Sequence, residues 1–299
     1  MHIEHPQKLE PVLYVVATPI GNLRDITLRA LDVLAAADVV AAEDTRNTAH
    51  LLTHHGISAK RLMAVHQHNE RSAAEKIIAL LQAGQSVAFV SDAGTPAVSD
   101  PGALLVQAVL AAGLRVIPIP GANAAVTALS ASGLAGPHFL FYGFLPNKSA
   151  ARRTALQALS THPYTLVFYE APHRILECVA DLCAVLGGNR QIVLAREITK
   201  LFETIHACRL SETEAWLLSD SNQQRGEFVV LVSGAEPQPG LPAETLNTLS
   251  LLLEELPLKQ AVQLAAKISG ANRSELYQNA LRMKNPEQHD NPAHSADGE

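Results

Sequence analysis

An apolar run at 87–90 opens into a loop longer than a strand-to-helix turn requires. The loop passes from Ser91 through Asp92, Ala93, Gly94, Thr95 and Pro96 to Ser99, Asp100, Pro101 and Gly102, and helical spacing begins at Ala103. Small residues let a ligand approach the backbone, and the carboxyl end of a strand is where ligands of open α/β sheets bind. The second half reads as a helix start, with Ser99 or Asp100 as N-cap and Pro101 at the first helical position. The first half has no such explanation and reads as functional.

The same strand–loop–helix unit recurs along the chain, and this constrains the fold. Apolar runs at 12–17, 38–42, 62–65, 87–90 and 115–119 alternate with helical spacing at 26–37, 43–56, 69–83 and 103–112. That alternation predicts a parallel sheet covered on both faces. A helix is expected at 122–132, then strands at 139–144, 165–169, 192–196, 203–207 and 228–232, with helices at 174–186 and 211–218. Connections in this second set are irregular, so a mixed sheet is expected. The Pro- and Gly-rich segment at 234–242 reads as a linker, and helices follow at 243–255, 258–269 and 273–283. The expected organisation is a loose arm (1–10), an α/β domain (11–121), a second α/β domain (122–234), a linker (235–242), a helical extension (243–284) and a disordered acidic tail (285–299).

Composition narrows the function classes. The 299 residues are 47% hydrophobic and only 4% aromatic, enough for two cores built mainly from aliphatic side chains. A net charge of −6 argues against a generally basic coat for nucleic acid. Local exceptions are 258–284, where Lys259, Lys267, Arg273, Arg282 and Lys284 face only Glu275, and 145–200. Cys178, Cys183 and Cys208 lack the spacing of a zinc site or disulfide framework, which fits a reducing cytosol, and all three are expected in the core. No apolar run reaches the roughly 20 residues of a membrane helix, and no signal segment opens the chain.

Neither a Walker-type phosphate loop nor a Rossmann glycine fingerprint is present. The first strand instead delivers Thr18, Pro19, Ile20, Gly21 and Asn22, whose backbone amides suit a neutral or zwitterionic ligand better than a triphosphate. Glu43, Asp44, Thr45 and Arg46 open a helix, where acids also complement the helix dipole. His66 and His68 have no further metal ligands nearby and read as a hydrogen-bonded loop or a helix cap at Asn69. Lys148, Arg152 and Arg153 form a basic helix start that suits phosphates or a solvated face equally. Tyr169, Glu170, His173 and Arg174 end one strand, Arg196 to Lys200 ends another, and Gly226 with Glu227 reads as a turn.

In their order, these motifs resemble the ribosomal RNA small-subunit methyltransferase I family, within the tetrapyrrole-methylase (class III) superfamily. The resemblance rests on residues 16–27, 42–46, 66–70, 91–102, 120–125, 143–146, 168–174 and 195–200, and spans about 11–284. It implies two α/β domains of tetrapyrrole-methylase type with S-adenosyl-L-methionine in the cleft between them, plus a small helical extension. It also implies a cytoplasmic homodimer that methylates the ribose 2′-oxygen of cytidine 1402 in 16S rRNA of the small ribosomal subunit. By position, the cofactor loops fall on Thr18, Pro19, Ile20 and Gly21, on Ser91, Asp92, Ala93, Gly94 and Thr95, and on Asn123 and Ala124. Tyr169 and Glu170 close the cleft from the second domain.

An activated methyl donor leaves the protein mainly the task of alignment, and no metal is required. Candidates for a base or proton acceptor at the ribose hydroxyl are Glu170, Asp92, His173 and Lys148. Candidates for RNA phosphates are Lys148, Arg152, Arg153, Arg174 and Lys200, with the basic extension as a second RNA-facing or dimer-supporting surface. The competing readings are a carbon methyltransferase acting on a corrin or porphyrin precursor and a non-catalytic ribosome-assembly factor.

Overall fold

A computed structural model describes residues 8–134, 136–236 and 240–284. The expectations for residues 1–7 of the arm and for the acidic tail lie outside the described residues. The first five apolar runs form strands β1 (Leu13–Val16), β2 (Val39–Ala42), β3 (Leu62–Ala64), β4 (Val87–Val90) and β5 (Val116–Ile119). All pair in parallel in the order β3-β2-β4-β1-β5. Side chains alternate across this sheet, because successive residues of a strand face opposite sides. Tyr14, Val16, Val40 and Val90 enter one core with Val33 and Leu34 of helix α1 (Leu28–Ala36) and Leu52 of α2 (Thr45–His54). Leu13, Val39, Val87 and Phe89 enter the other, with Ile77 and Leu81 of α3 (Glu70–Gln82) and Leu105 and Val109 of α4 (Ala103–Ala111).

The start of α4 corrects one expectation. Neither Ser99 nor Asp100 caps this helix. Ala97 and Ser99 both have positive φ (66° and 64°), so the chain turns twice before the helix begins. The cap position falls on Gly102 (φ 128°), which has no side chain to offer. The acceptor comes from α3, where buried Glu70 Oε1 takes the Gly102 and Leu105 amides at 3.0 Å each. A carboxylate at a helix amino end is stabilised by its free N–H groups and dipole. Asn69 does not cap α3 with its side chain; its Oδ1 accepts the His66 amide at 2.8 Å, closing the 66–69 loop.

Helix α5 (Ala124–Ala131) leaves the last strand of the first sheet but packs on the second. That sheet contains β6 (Phe139–Phe144), β7 (Thr165–Glu170), β8 (Gln191–Arg196), β9 (Thr204–Arg209) and β10 (Phe228–Val232), in the order β6-β7-β10-β8-β9. Only β6 and β7 are parallel, so the sheet is mixed, as the irregular connections predict. Its other face packs on α6 (Ser149–Leu159), α7 (Ile175–Leu186) and α8 (Leu210–Ser219). Cys178 is buried there, whereas Cys183 and Cys208 are only half-buried, which corrects the expectation of three core thiols.

The chain divides into two compact units between Ala235 and Glu236. The second contains α9 (Ala243–Glu255), α10 (Leu258–Ser269) and α11 (Arg273–Lys284) around Leu249, Val262, Ala265, Leu276 and Ala280. No helix among the described residues is long and apolar enough to cross a membrane.

Candidate active site

The carboxyl ends of β1, β4 and β5 place three loops side by side. Thr18 and Gly94 exchange backbone hydrogen bonds of 2.8 and 3.0 Å, and Thr18 Oγ1 donates to the Ser91 carbonyl at 3.3 Å. Thr95 Oγ1 donates to the Ala122 carbonyl at 3.1 Å. Gly94 has φ +77°, and a Cβ there would stand 3.3 Å from Ile20 Cγ2, so both conformation and space favour glycine.

The second sheet covers this floor. A cavity of about 330 Å³ lies between them. From the sequence-derived set, Ile20, Ala93, Gly94, Thr95, Asn123, Ala124, Tyr169, Glu170 and Lys200 line it. Tyr169 Oη accepts the Ala125 amide at 3.2 Å and ties the second sheet to the start of α5. Burial raises the Tyr169 pKa, so its hydroxyl stays protonated. Glu170 is buried, with Oε1 accepting from the Ala171 amide at 2.8 Å and lying 3.2 Å from Arg174 Nε. Glu170 Oε2 has no hydrogen-bond partner among the described residues.

A second cavity of about 390 Å³ adjoins the first. Pro19, Gly21, Ser91 and Asp92 line this one instead, with Asn47 and His50 of α2. Among the described residues, only Ile20, Ala93, Lys200 and Glu227 line both. Thr18 is buried beneath and serves as the tether. Asp92 has its oxygens engaged: Oδ1 accepts the Asp44 amide and Oδ2 accepts from Asn47 Nδ2, each at 3.0 Å. It therefore pins its loop to the start of α2. Among the described residues, no group of three His, Cys, Asp or Glu side chains is arranged to hold a metal ion.

The profile of a family described as Tetrapyrrole (Corrin/Porphyrin) Methylases matches residues 12–214, and one described as RsmI C-terminal HTH domain matches 239–284. The Ribosomal RNA small subunit methyltransferase I of Escherichia coli O157:H7 is 54% identical over 273 residues, covering 91% of this chain and 95% of its own. The protein of that name from Pseudomonas aeruginosa is 55% identical over 275 residues, covering 91% and 97%. The chain belongs to the ribosomal RNA small subunit methyltransferase I family. It also shares its fold with uroporphyrin-III C-methyl transferase from Thermus thermophilus, solved as a complex with S-adenyl homocysteine. That match has a TM-score of 0.51 at 19% identity and covers 74% of this chain and 96% of the other.

Within this member of the methyltransferase I family, several sequence-derived roles are corrected. Arg152 is fully buried, with Nε 2.7 Å from Asp181 Oδ2, so it cannot meet an RNA phosphate. Arg174 is largely buried and spends its guanidinium on Glu170, Asn147 and the Leu145 carbonyl. Lys200 is already paired with two carboxylates, Glu197 and Glu227. Only Lys148 and Arg153 remain exposed in the basic set. His173 lines a separate groove with Leu176 and Arg225, and Lys148 lines neither cavity, so neither is placed as a base for a ligand in the cleft.

Other lining residues escaped the sequence reading. Ser99 and Asp100 line the first cavity rather than starting a helix. Burial first, and the Glu43 charge next, push the Asp100 carboxyl up to about 6, against a hydrogen bond with Ser91. Glu227 lies in the wall between the cavities because β10 runs antiparallel to β7 and β8. Phe228 therefore pairs with Glu170 and Arg196, the carboxyl-terminal residues of those strands. The Gly226–Glu227 dipeptide was the available signal, and strand direction, which sequence does not display, gives it meaning.

Proposed function

We propose that this chain transfers the methyl group of S-adenosyl-L-methionine to the ribose 2′-oxygen of cytidine 1402 in 16S rRNA. Membership of the family, and the name its relatives carry, support small-subunit rRNA as substrate. The observation that carries the cofactor reading is the first cavity itself. A floor of backbone and small side chains meets a lining that includes Asp100 and a buried Glu170 oxygen without a partner among the described residues. A ligand carrying a sulfonium and an ammonium satisfies such acids, whereas a polyphosphate is repelled by them. Ile20, Gly94, Thr95, Asn123, Ala124, Tyr169 and Glu170 would hold the cofactor, which supplies an already activated methyl group.

Lys148 and Arg153, together with the basic residues of α10 and α11, are the proposed phosphate contacts. Losing one is expected to weaken binding and lower the salt slope by about one unit. A cytoplasmic location follows from a ribosomal substrate. A homodimer is part of the same reading. Leu201 and Phe202 are exposed and offer apolar surface that a second copy would cover. Sedimentation showing only monomer at working concentration would remove that part.

The deciding experiment uses small subunits from a strain lacking this protein. They should lack one 2′-O-methyl mark, and purified protein with S-adenosylmethionine should restore it. A mark that persists in the strain overturns the assignment.

A further inference from the structure

Among the described residues, Lys200 and Glu227 are the only ionisable ones that line both cavities. Lys200 Nζ donates to Glu197 Oε1 at 2.8 Å and to Glu227 Oε2 at 3.0 Å. An ammonium has three N–H groups, so among the described residues one remains uncommitted. The segment that delivers it is strained: Glu197 and Thr199 are non-glycine residues with φ +51° and +67°. It is also pressed against the first sheet. Thr199 Oγ1 accepts the Asn22 amide at 3.1 Å, and a Cβ at Gly21 would stand 2.6 Å from Lys200 Cγ. Strain of this kind persists where the surroundings over-determine a conformation, and it concentrates at functional sites. Burial alone would lower the Lys200 pKa, but the hydrogen bonds to Glu197 and Glu227 outweigh it and raise it. A lysine so neutralised is a weak phosphate clamp and a well-held single donor.

Resting on the methyltransferase reading above, we infer that the second cavity receives the acceptor nucleoside, and that Lys200 and Glu227 hold its ribose 2′-hydroxyl at the wall between the cavities. The second cavity suits a nucleoside. Pro19 and Leu23 offer apolar surface, Asn47 and His50 offer hydrogen-bonding edges, and its volume of about 390 Å³ is in the range of small-molecule sites. At the wall, the free Lys200 N–H donates to one lone pair of the 2′-oxygen, and the hydroxyl donates to the Glu227 carboxylate. The second lone pair is left facing the first cavity. The O–C bond forms from that pair, the S–C bond breaks with its electrons left on sulfur, and the hydroxyl proton passes to Glu227 and then to water. The oxygen's proton grows more acidic as the bond forms, so a carboxylate suffices to take it.

The test uses the full chain, small subunits lacking the mark, and S-adenosylhomocysteine as calorimetric probe. Lys200→Met should slow single-turnover transfer about 100-fold, the scale of misplacing the attacking oxygen. Glu227→Gln should slow it by about tenfold or more. Both should bind S-adenosylhomocysteine within about twofold of the unsubstituted protein, as expected for groups that act on the acceptor. His50→Trp, which fills the second cavity from exposed α2 surface, should raise KM for the subunit about tenfold with the same cofactor affinity. Unchanged transfer in the first two variants overturns the role of the pair. A rate loss matched by an equal loss of S-adenosylhomocysteine affinity also overturns it, because the pair then serves the first cavity. An unchanged KM in His50→Trp overturns the nucleoside cavity. If Lys200→Met does not fold, Glu227→Gln decides, since that side chain is 80% exposed. If the unsubstituted protein itself fails to methylate subunits, the function reading falls and takes this inference with it. Activity in that control with unaffected variants removes the inference alone.

Discussion

Two loops face each other across the cleft, 91–102 from the first sheet and 197–203 from the second. Each contains two non-glycine residues in the left-handed region: Ala97 and Ser99 in one, Glu197 and Thr199 in the other. Among the described residues there are no others. The two loops hold their strain differently. The first holds no ion pair among the described residues: the Thr18–Gly94 bridge and the Ala97 amide on the Pro101 carbonyl at 3.1 Å fix it, and the carboxylates of Asp92 and Glu70 accept uncharged N–H groups there. The second is fixed by charge. Glu203 Oε2 accepts the Thr199 amide at 2.6 Å, and Glu197 Oε1 accepts from both Lys200 Nζ and the Glu227 amide. The first loop provides a floor of defined shape. The charged loop provides one oriented ion. Left-handed backbone costs about 1–3 kcal/mol per residue, so neither arrangement persists without these contacts.

The first loop is most vulnerable at Gly102. A Cβ there would strike the Phe89 ring, and φ +128° is closed to other residues. Gly102→Ala should therefore destabilise the protein by about 3 kcal/mol or more, measured by urea unfolding. A loss under about 1 kcal/mol would mean that the first loop is pliable rather than a fixed floor.

Asp100 separates stability from function in the same loop. Its carboxyl is pushed up to about 6, above the ordinary carboxylate value, by burial first and then by the neighbouring Glu43 charge. The folded state thus holds this proton more tightly than the unfolded chain. Ionised Asp100 opposes folding at neutral pH, and that opposition fades as pH falls through about 6. Asp100→Asn should raise the thermal midpoint at about pH 8, by an amount that shrinks towards about pH 5. It should also weaken binding of cationic S-adenosylmethionine at the higher pH. Binding to the unsubstituted protein should weaken as pH falls through about 6. Affinity that is flat with pH and unchanged in the variant would place Asp100 outside the cofactor's field.

The smallest effects sharpen the contrast. Ala97→Gly relieves about 1–2 kcal/mol of left-handed strain against about 0.5–1 kcal/mol of lost chain stiffness, for a net gain under about 1 kcal/mol. Thr199→Gly relieves similar strain but removes the acceptor of the Asn22 amide, a loss of about 1 kcal/mol or more. The first should raise the unfolding midpoint slightly and the second should not. Equal gains would show that the Thr199–Asn22 contact contributes nothing.

Much of this was legible from the chain. Apolar runs of strand length between helical spacings announce a parallel sheet, and loops at strand ends announce the cleft, because the side chains that enforce both are local. Basic residues were less legible. Arg152 and Arg153 are neighbours with the same charge, yet one is buried against Asp181 and the other is 55% exposed. A difference of one position on a helix turns a side chain from core to solvent, and charge says nothing about which side the core is on.

Element order, the family and the positions of the strand-end loops follow from the sequence alone, since these depend on local spacing and on residues with special backbone freedom. Tertiary structure decided which of those residues meet. Glu70 caps a helix in another part of the chain. Thr199 bonds to Asn22 across 177 residues. The antiparallel run of β10 carries Glu227 to the wall between two cavities. These are consequences of strand direction and of packing between sheets, which no local pattern encodes.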